Sequence, residues 1–300
     1  MSTGHSFETT HWRALHAIDE HTVLCTGSRQ EGPPAKRSEY AHITRWHDGQ
    51  TQCVYESRGQ IVALHGDGPS IWAVLTFSAE ESSAPIYALL YSRNGGLLWA
   101  VGHDIPVDHV TQLLVVSQDE LWVQGKDTLA YTADQGRTWY EVQPPAGQLP
   151  EPSTLSLREG APTLAGSGLR TTRDQAGTWE AQLTTVPILN CERGAVIGMV
   201  FGECRYGILQ PRGVTWRAKL PRLEAPVSMM RRAAHIRIVA APHESTLADG
   251  DEGWIVLESH DTAGTWHMDR IAGPTHEPTA ILTPGGRGFA INNEGVLVTF

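Results

Sequence analysis

Short apolar runs of four to seven residues recur along the chain in pairs, and each pair is split by a polar or Gly-rich turn. Seven such pairs can be read. They are Trp12–Ile18 with Thr22–Thr26, Ile61–His65 with Ile71–Phe77, and Gln112–Ser117 with Leu121–Gly125. Then come Thr154–Arg158 with Pro162–Gly166, Ile188–Cys191 with Ala195–Phe201, Val227–Arg231 with His235–Ala240, and Thr279–Thr283 with Gly288–Asn292. Runs this short, bounded by turn signals such as Asp67-Gly68 and Gly285-Gly286, predict β-hairpins. Their continuous apolar character, without a polar alternate, predicts strands covered on both faces.

Between the pairs lies a second, sharper pattern. Three segments superpose: Thr132-Ala-Asp134-Gln-Gly136-Arg-Thr138-Trp139, Thr172-Arg-Asp174-Gln-Ala176-Gly-Thr178-Trp179 and Ser259-His-Asp261-Thr-Ala263-Gly-Thr265-Trp266. Ser92-Arg-Asn94-Gly-Gly96-Leu-Leu-Trp99 keeps the frame with Asn for Asp, and Gln210-Pro-Arg-Gly213-Val-Thr215-Trp216 keeps its second half. The tryptophans of this pattern fall 40 (99 to 139), 40 (139 to 179), 37 (179 to 216) and 50 (216 to 266) residues apart. Periods of this size mean propeller blades or solenoid units. The residue types fit a hairpin turn. Asp accepts backbone N–H bonds within the loop, the Ser or Thr hydroxyl adds more, and Gly takes a conformation that a Cβ disfavours. Trp then opens the outgoing strand and buries its face against the sheet.

These residues resemble the Asp-box, or BNR, repeat. The superfamily includes sialidases, sortilin-like receptors, certain xyloglucanases and photosystem II assembly-factor-like proteins. The last group is closest in pattern: its Gly-x-x-Gly, short strand and Thr-x-Asp-x-Gly-x-Thr-Trp order is similar to Gly166-Ser-Gly168-Leu-Arg-Thr-Thr172-Arg-Asp174-Gln-Ala-Gly-Thr178-Trp179. The resemblance implies an all-β fold, a single β-propeller of seven four-stranded blades over residues 1–300. Each blade would run a to d from the axis outward. The last blade, residues 279–300, ends on a c strand, so segment 1–10 is expected to supply its d strand and close the ring. WD40 and kelch propellers fit less well, because neither a Gly-His with Trp-Asp pair nor a double glycine recurs from blade to blade.

Composition narrows the function without naming one. The net charge is −10, from 23 Lys and Arg against 33 Asp and Glu. No basic run appears, which disfavours nucleic acid and anionic membranes and suits a basic or neutral protein partner. Met1 to Thr10 has no apolar core of a secretory signal, and no apolar run reaches a membrane span, so a cytoplasmic protein is expected; alone, it is expected to be monomeric. Cys25, Cys53, Cys191 and Cys204 make no CxxC and read as buried thiols. No cofactor and no metal is expected: His103-Asp104 and Asp108-His109 match no standard ligand spacing.

The fold assigns the repeated turns, with Asn94, Trp99, Asp134, Trp139, Asp174, Trp179, Trp216, Asp261 and Trp266, to structural work. Partner-binding candidates therefore come from the opposite face, where loops join strands b to c and d to a. Three b–c loops are long. Gly27–Glu39 carries Arg29, Lys36 and Arg37; Ser78–Ala84 carries Glu80 and Glu81; Pro242–Gly253 carries His243, Glu244, Asp249, Asp251 and Glu252. The d–a segment Lys219 to Pro226 also reads as a long loop. No catalytic residue is assigned. A sialidase needs three arginines, a Tyr–Glu pair and an early Phe/Tyr-Arg-Ile-Pro, and that opening motif is absent. The expected function is a non-catalytic protein-binding propeller, an assembly factor or an immunity protein that neutralises a toxin. A glycoside hydrolase or carbohydrate binder is the alternative.

Overall fold

The computed structural model describes residues 11–31, 38–78, 85–142, 154–158, 161–165, 169–175, 177–182, 188–192, 195–210, 213–242, 253–271, 280–283, 285–292 and 296–300. They form an all-β, seven-bladed propeller, with no helix among them. Blade 1 comprises His11–Asp19, Thr22–Glu31, Ser38–His47 and Gln50–Arg58; blade 2, Gln60–Asp67, Ser70–Ser78, Pro85–Ser92 and Ala100–Asp104. Blade 3 has Gln112–Val115, Leu121–Gln124, Leu129–Thr132 and Tyr140–Val142; blade 4, Thr154–Arg158, Ala161–Ala165, Leu169–Thr171 and Glu180–Gln182. Blade 5 has Ile188–Glu192, Ala195–Val200, Glu203–Gln210 and Gly213–Lys219; blade 6, Leu223–Arg232, His235–Pro242, Trp254–Ser259 and His267–Ile271. Blade 7 shows three strands, Ala280–Leu282, Gly288–Ile291 and Leu297–Thr299. Each blade is an antiparallel meander, a to d in chain order. All seven apolar pairs are the a–b hairpins. The expected pairing of segment 1–10 with blade 7 lies outside the described residues.

The seven a strands touch in a closed ring, blade 7 against blade 1 included. Side chains on these strands bind backbone of the next blade. His65 Nδ1 accepts from Val115 N–H at 3.1 Å, Gln112 Oε1 from Leu155 N–H at 2.6 Å, and Ser228 Oγ from Leu282 N–H at 3.1 Å. The junction of blades 7 and 1 is sealed by Glu20, whose carboxylate accepts from Thr283 Oγ1 and Gly285 N–H, each at 2.7 Å. Arg287 donates to the Glu20 carbonyl at 2.8 Å and lies over Trp46 and Phe289. Buried clusters fill the clefts between sheets, such as Val23 and Cys25 of blade 1 with Phe289 and Ile291 of blade 7. This two-sided burial is why the b strands lack polar alternation. Blade 4's b strand is buried at all five positions.

Three sequence expectations change. Cys25 and Cys204 are buried, but Cys53 is exposed on a d strand. Strand d of blade 5 and strand a of blade 6 leave only residues 220–222 between them, so Lys219 to Pro226 is mostly strand. Strand b of blade 1 runs to Glu31, so Arg29 sits on a strand rather than in a loop.

Candidate functional site

The a–b and c–d turns share one face of the ring, here the lower; b–c and d–a turns form the upper. The repeated turns are c–d turns on the lower face. In blade 3, Thr132 Oγ1 accepts from Gly136 N–H at 2.9 Å and donates to Asp134 Oδ1 at 2.8 Å, which also accepts from Thr138 N–H at 2.8 Å. Blade 6 repeats this: Ser259 Oγ takes Ala263 N–H at 3.0 Å, and Asp261 takes the backbone and hydroxyl of Thr265, both at 2.8 Å. Blade 4 keeps the Asp174 bonds to Thr172 and Thr178. In blade 2 Asn94 accepts from Leu98 N–H at 3.0 Å, so the amide oxygen replaces the carboxylate in the turn. Blade 5 departs: Gln210 pairs directly with Gly213 in a tight hairpin, and Trp216 alone follows the pattern.

These turns bind each blade to the one before it. Gly96 of blade 2 sits at φ +79 over Leu24 of blade 1, where a Cβ would come within 2.7 Å of that side chain. Trp139 packs on the cluster of blades 2 and 3, Trp179 meets Trp122 edge-on at 6.2 Å, and Trp266 meets Tyr206 at 5.7 Å. The tryptophans are half-buried, contacting the preceding blade rather than lying beneath their own sheet. The turn carboxylates are fully engaged. Asp261 is held down at about 2 by the Thr265 N–H first, then by the Thr265 and Ser259 hydroxyls. Asp134 and Asp174 are lowered by the same kind of hydrogen bonds. A cavity of about 390 Å³ opens beside one such turn, lined by Val116, Glu120, Pro162, Thr172, Arg173 and Asp174.

Of the sequence-nominated contact residues, Arg29 bonds Glu56 at 2.8 Å across the blade 1 sheet and Glu31 at 2.9 Å along its own strand. Lys36, Arg37, Glu80, Glu81, His243, Glu244, Asp249, Asp251 and Glu252 lie outside the described residues. His103, Asp104, Asp108 and His109 do not gather into a ligand cluster; among the described residues only His235, Glu258 and His260 do.

Two features were missed in the sequence. One is that His–Glu–His group on the lower face of blade 6. The other is Phe201, assigned there to the end of a buried strand. It is instead the first residue of a two-residue b–c turn, Phe201–Gly202, between the paired Val200 and Glu203. Its side chain is 100% exposed, on the upper face, and its φ is +50. A bulky residue at positive φ is a backbone outlier. The signal for it in the sequence is Gly202: an apolar-Gly pair midway between two runs of strand.

No protein-family model matches the chain, and no curated protein matches it. Solved structures do. YCF48 bound to D1 peptide superposes with a TM-score of 0.58 at 16% identity, covering 99% of this chain and 94% of that one. The GH74 enzyme of Niastella koreensis gives 0.60 at 12%, covering 99% of this chain but 53% of its own, so the chain spans about half of that enzyme. Hsv2 of Kluyveromyces lactis gives 0.53 at 11%, covering 96% and 97%. At these identities the likeness shows a propeller fold.

Proposed function

We propose that this propeller is a non-catalytic protein-binding ring that engages its partner through the upper face, with Phe201 as an anchor. The exposed, left-handed Phe201 carries the reading. Single exposed apolar residues are ordinary. This one also occupies a turn position that favours Asn, Asp or Gly. Strain kept at an exposed position points to use of the side chain, and aromatic residues dominate binding hot spots.

Other observations agree. The likeness to YCF48 spans nearly all of both chains, and that protein was solved with a peptide bound. The net charge of −10 favours a basic partner segment. The repeated turns are, on this reading, Asp-box turns with a structural role. An assembly factor or a toxin-neutralising immunity protein, in the cytoplasm, is the cellular role that such a ring fits.

The test is capture of the full chain and of its Phe201→Asp variant from lysate of the source cells, followed by binding with the purified partner. A stoichiometric partner held by the wild type and lost by the variant is the expected result. Equal binding by both, or turnover of a glucan or sialoside panel by the wild type, overturns the reading.

A further inference from the structure

The ladder between strands b and c of blade 6 pairs Ile236 with Ser259 and Arg237 with Glu258. Continued by one step, that register sets His235 opposite His260, just past the end of the ladder. Residues 258 and 260 share a face of their strand, as do 235 and 237 of theirs. Four polar side chains, His235, Arg237, Glu258 and His260, therefore project from one side of the sheet end.

Arg237 is drawn off by the neighbouring blade. Its guanidinium donates to the Gly286 carbonyl at 2.6 Å and the Phe300 carbonyl at 3.3 Å, and it lies over the Phe300 ring. Glu258 still feels its charge, and makes its close contacts to the two histidines. Its Oε1 lies 2.6 Å from His235 Nε2 and 3.5 Å from His260 Nε2. The two imidazoles stack at 4.5 Å, 17° from parallel, and all three ligand atoms lie within 4.8 Å of one another. Both rings thus present the same nitrogen to one carboxylate.

We propose that His235, Glu258 and His260 form a binding site for a divalent cation of the zinc type. Two imidazoles and one carboxylate suit zinc, nickel, cobalt or copper, and do not suit calcium or magnesium, which take oxygen ligands. Tetrahedral bonds of about 2.0–2.2 Å put ligand atoms roughly 3.3–3.5 Å apart. The Glu258–His260 separation already matches. The Glu258–His235 contact must widen, and the cation then takes the place of the shared proton. The stacked rings must also splay. His260 can do this because its side chain is 72% exposed, while His235 and Glu258, at 33% and 26%, need shift only enough to open their contact. Three protein ligands leave a fourth position open towards solvent on the lower face.

The experiment titrates chelator-stripped full-length protein with zinc by calorimetry, and with cobalt by absorption spectroscopy. One equivalent should bind, with the intense visible bands of low-coordinate cobalt. His260→Gln and Glu258→Gln should weaken it by at least the roughly 10–100-fold seen when even a metal's outer partners are removed. His260 is exposed enough for its variant to keep the fold, and circular dichroism checks this. His103→Gln/His109→Gln serves as control and should bind like wild type. Absence of stoichiometric binding overturns the site. So does binding that survives in His260→Gln and Glu258→Gln, or that is lost in the control.

Discussion

The hairpin tips at Asp48–Gly49 and Phe201–Gly202 have the same backbone and opposite contents. Each is a two-residue turn, bounded by the pairs His47–Gln50 and Val200–Glu203. Their φ values nearly coincide, +47 and +85 in the first, +50 and +79 in the second. Positive φ at both residues is what a type I′ turn requires, and Asp-Gly is among its preferred sequences. Asp48 also bonds His21 at 2.8 Å, so its side chain serves the lower face it sits on. Phe201 stands on the upper face, fully exposed. One turn is filled by a residue that helps the chain turn there. The other is filled by one that hinders it. The Asp48 turn is thus explained by folding alone, while the Phe201 turn on the upper face holds a residue that folding does not explain.

The largest effect should come from weakening the ring from which both tips hang. His16 and His65 sit on adjacent a strands, their rings 5.8 Å apart. Burial first, then repulsion from His65, lowers His16 to about 3; burial lowers His65 to about 4. Unfolded, both titrate near 6.5. Between those values the unfolded chain binds more protons, so stability is lost as pH falls below 6.5. Each group contributes up to about 1.4 kcal/mol per pH unit, and the pair several kcal/mol by pH 4. His65 must also be unprotonated at Nδ1 to accept the Val115 N–H. Denaturation midpoints from pH 7 to pH 4 should fall steeply. His65→Asn, which keeps an acceptor and does not titrate, should flatten the curve. If Phe201→Asn changes the acid profile as well, Phe201 belongs to the fold and the contrast fails.

Next in size is the partner affinity. If Phe201 anchors the complex, Phe201→Asp should weaken binding by about 2 kcal/mol or more, as loss of a hot-spot aromatic does. The mirror change, Asp48→Asn on the lower face, should leave affinity unchanged. Equal losses from both would mean that the two faces are not functionally distinct.

The sequence exposed the lower face far better than the upper. Asp134, Asp174 and Asp261 recur because each turn needs the same hydrogen bonds, and a repeated need leaves a repeated pattern. The a–b hairpins were legible because apolar runs broken by Gly or Asp mark their own ends. Phe201 was not. Its run, Ala195 to Val200, is apolar to the last residue, so nothing in hydrophobicity says that the strand stops before Phe201 rather than after it. Arg29 was misplaced for the opposite reason: strand b of blade 1 continues through Ser28, Arg29, Gln30 and Glu31, where polarity alone suggests a loop. His235 and His260 meet only through strand register, which spacing along the chain does not reveal.

Thr132→Val probes the lower face itself. Thr132 is fully buried, and its hydroxyl takes the Gly136 N–H. Valine keeps the shape and removes the acceptor. An unpaired buried N–H costs about 1–3 kcal/mol, to be read as a lower urea midpoint at unchanged slope. Partner affinity should not move. A neutral result for stability would mean that the turn hydroxyls do not hold the blades, and the lower face would need another explanation.

The smallest effect is the one that separates the two tips most cleanly. Phe201→Asn installs on the upper face a residue that the turn prefers, next to a Gly202 that already suits it. A left-handed conformation costs an ordinary L-residue about 1–2 kcal/mol and asparagine less. The side chain is fully exposed, so no packing is lost in exchange. Phe201→Asn should therefore gain about 1 kcal/mol in equilibrium denaturation while losing partner affinity. Gains in stability with losses in binding are the signature of a residue retained for function against the preference of its own backbone. A loss of stability instead would show that Phe201 supports the hairpin, and would return the upper face to the same account as the lower.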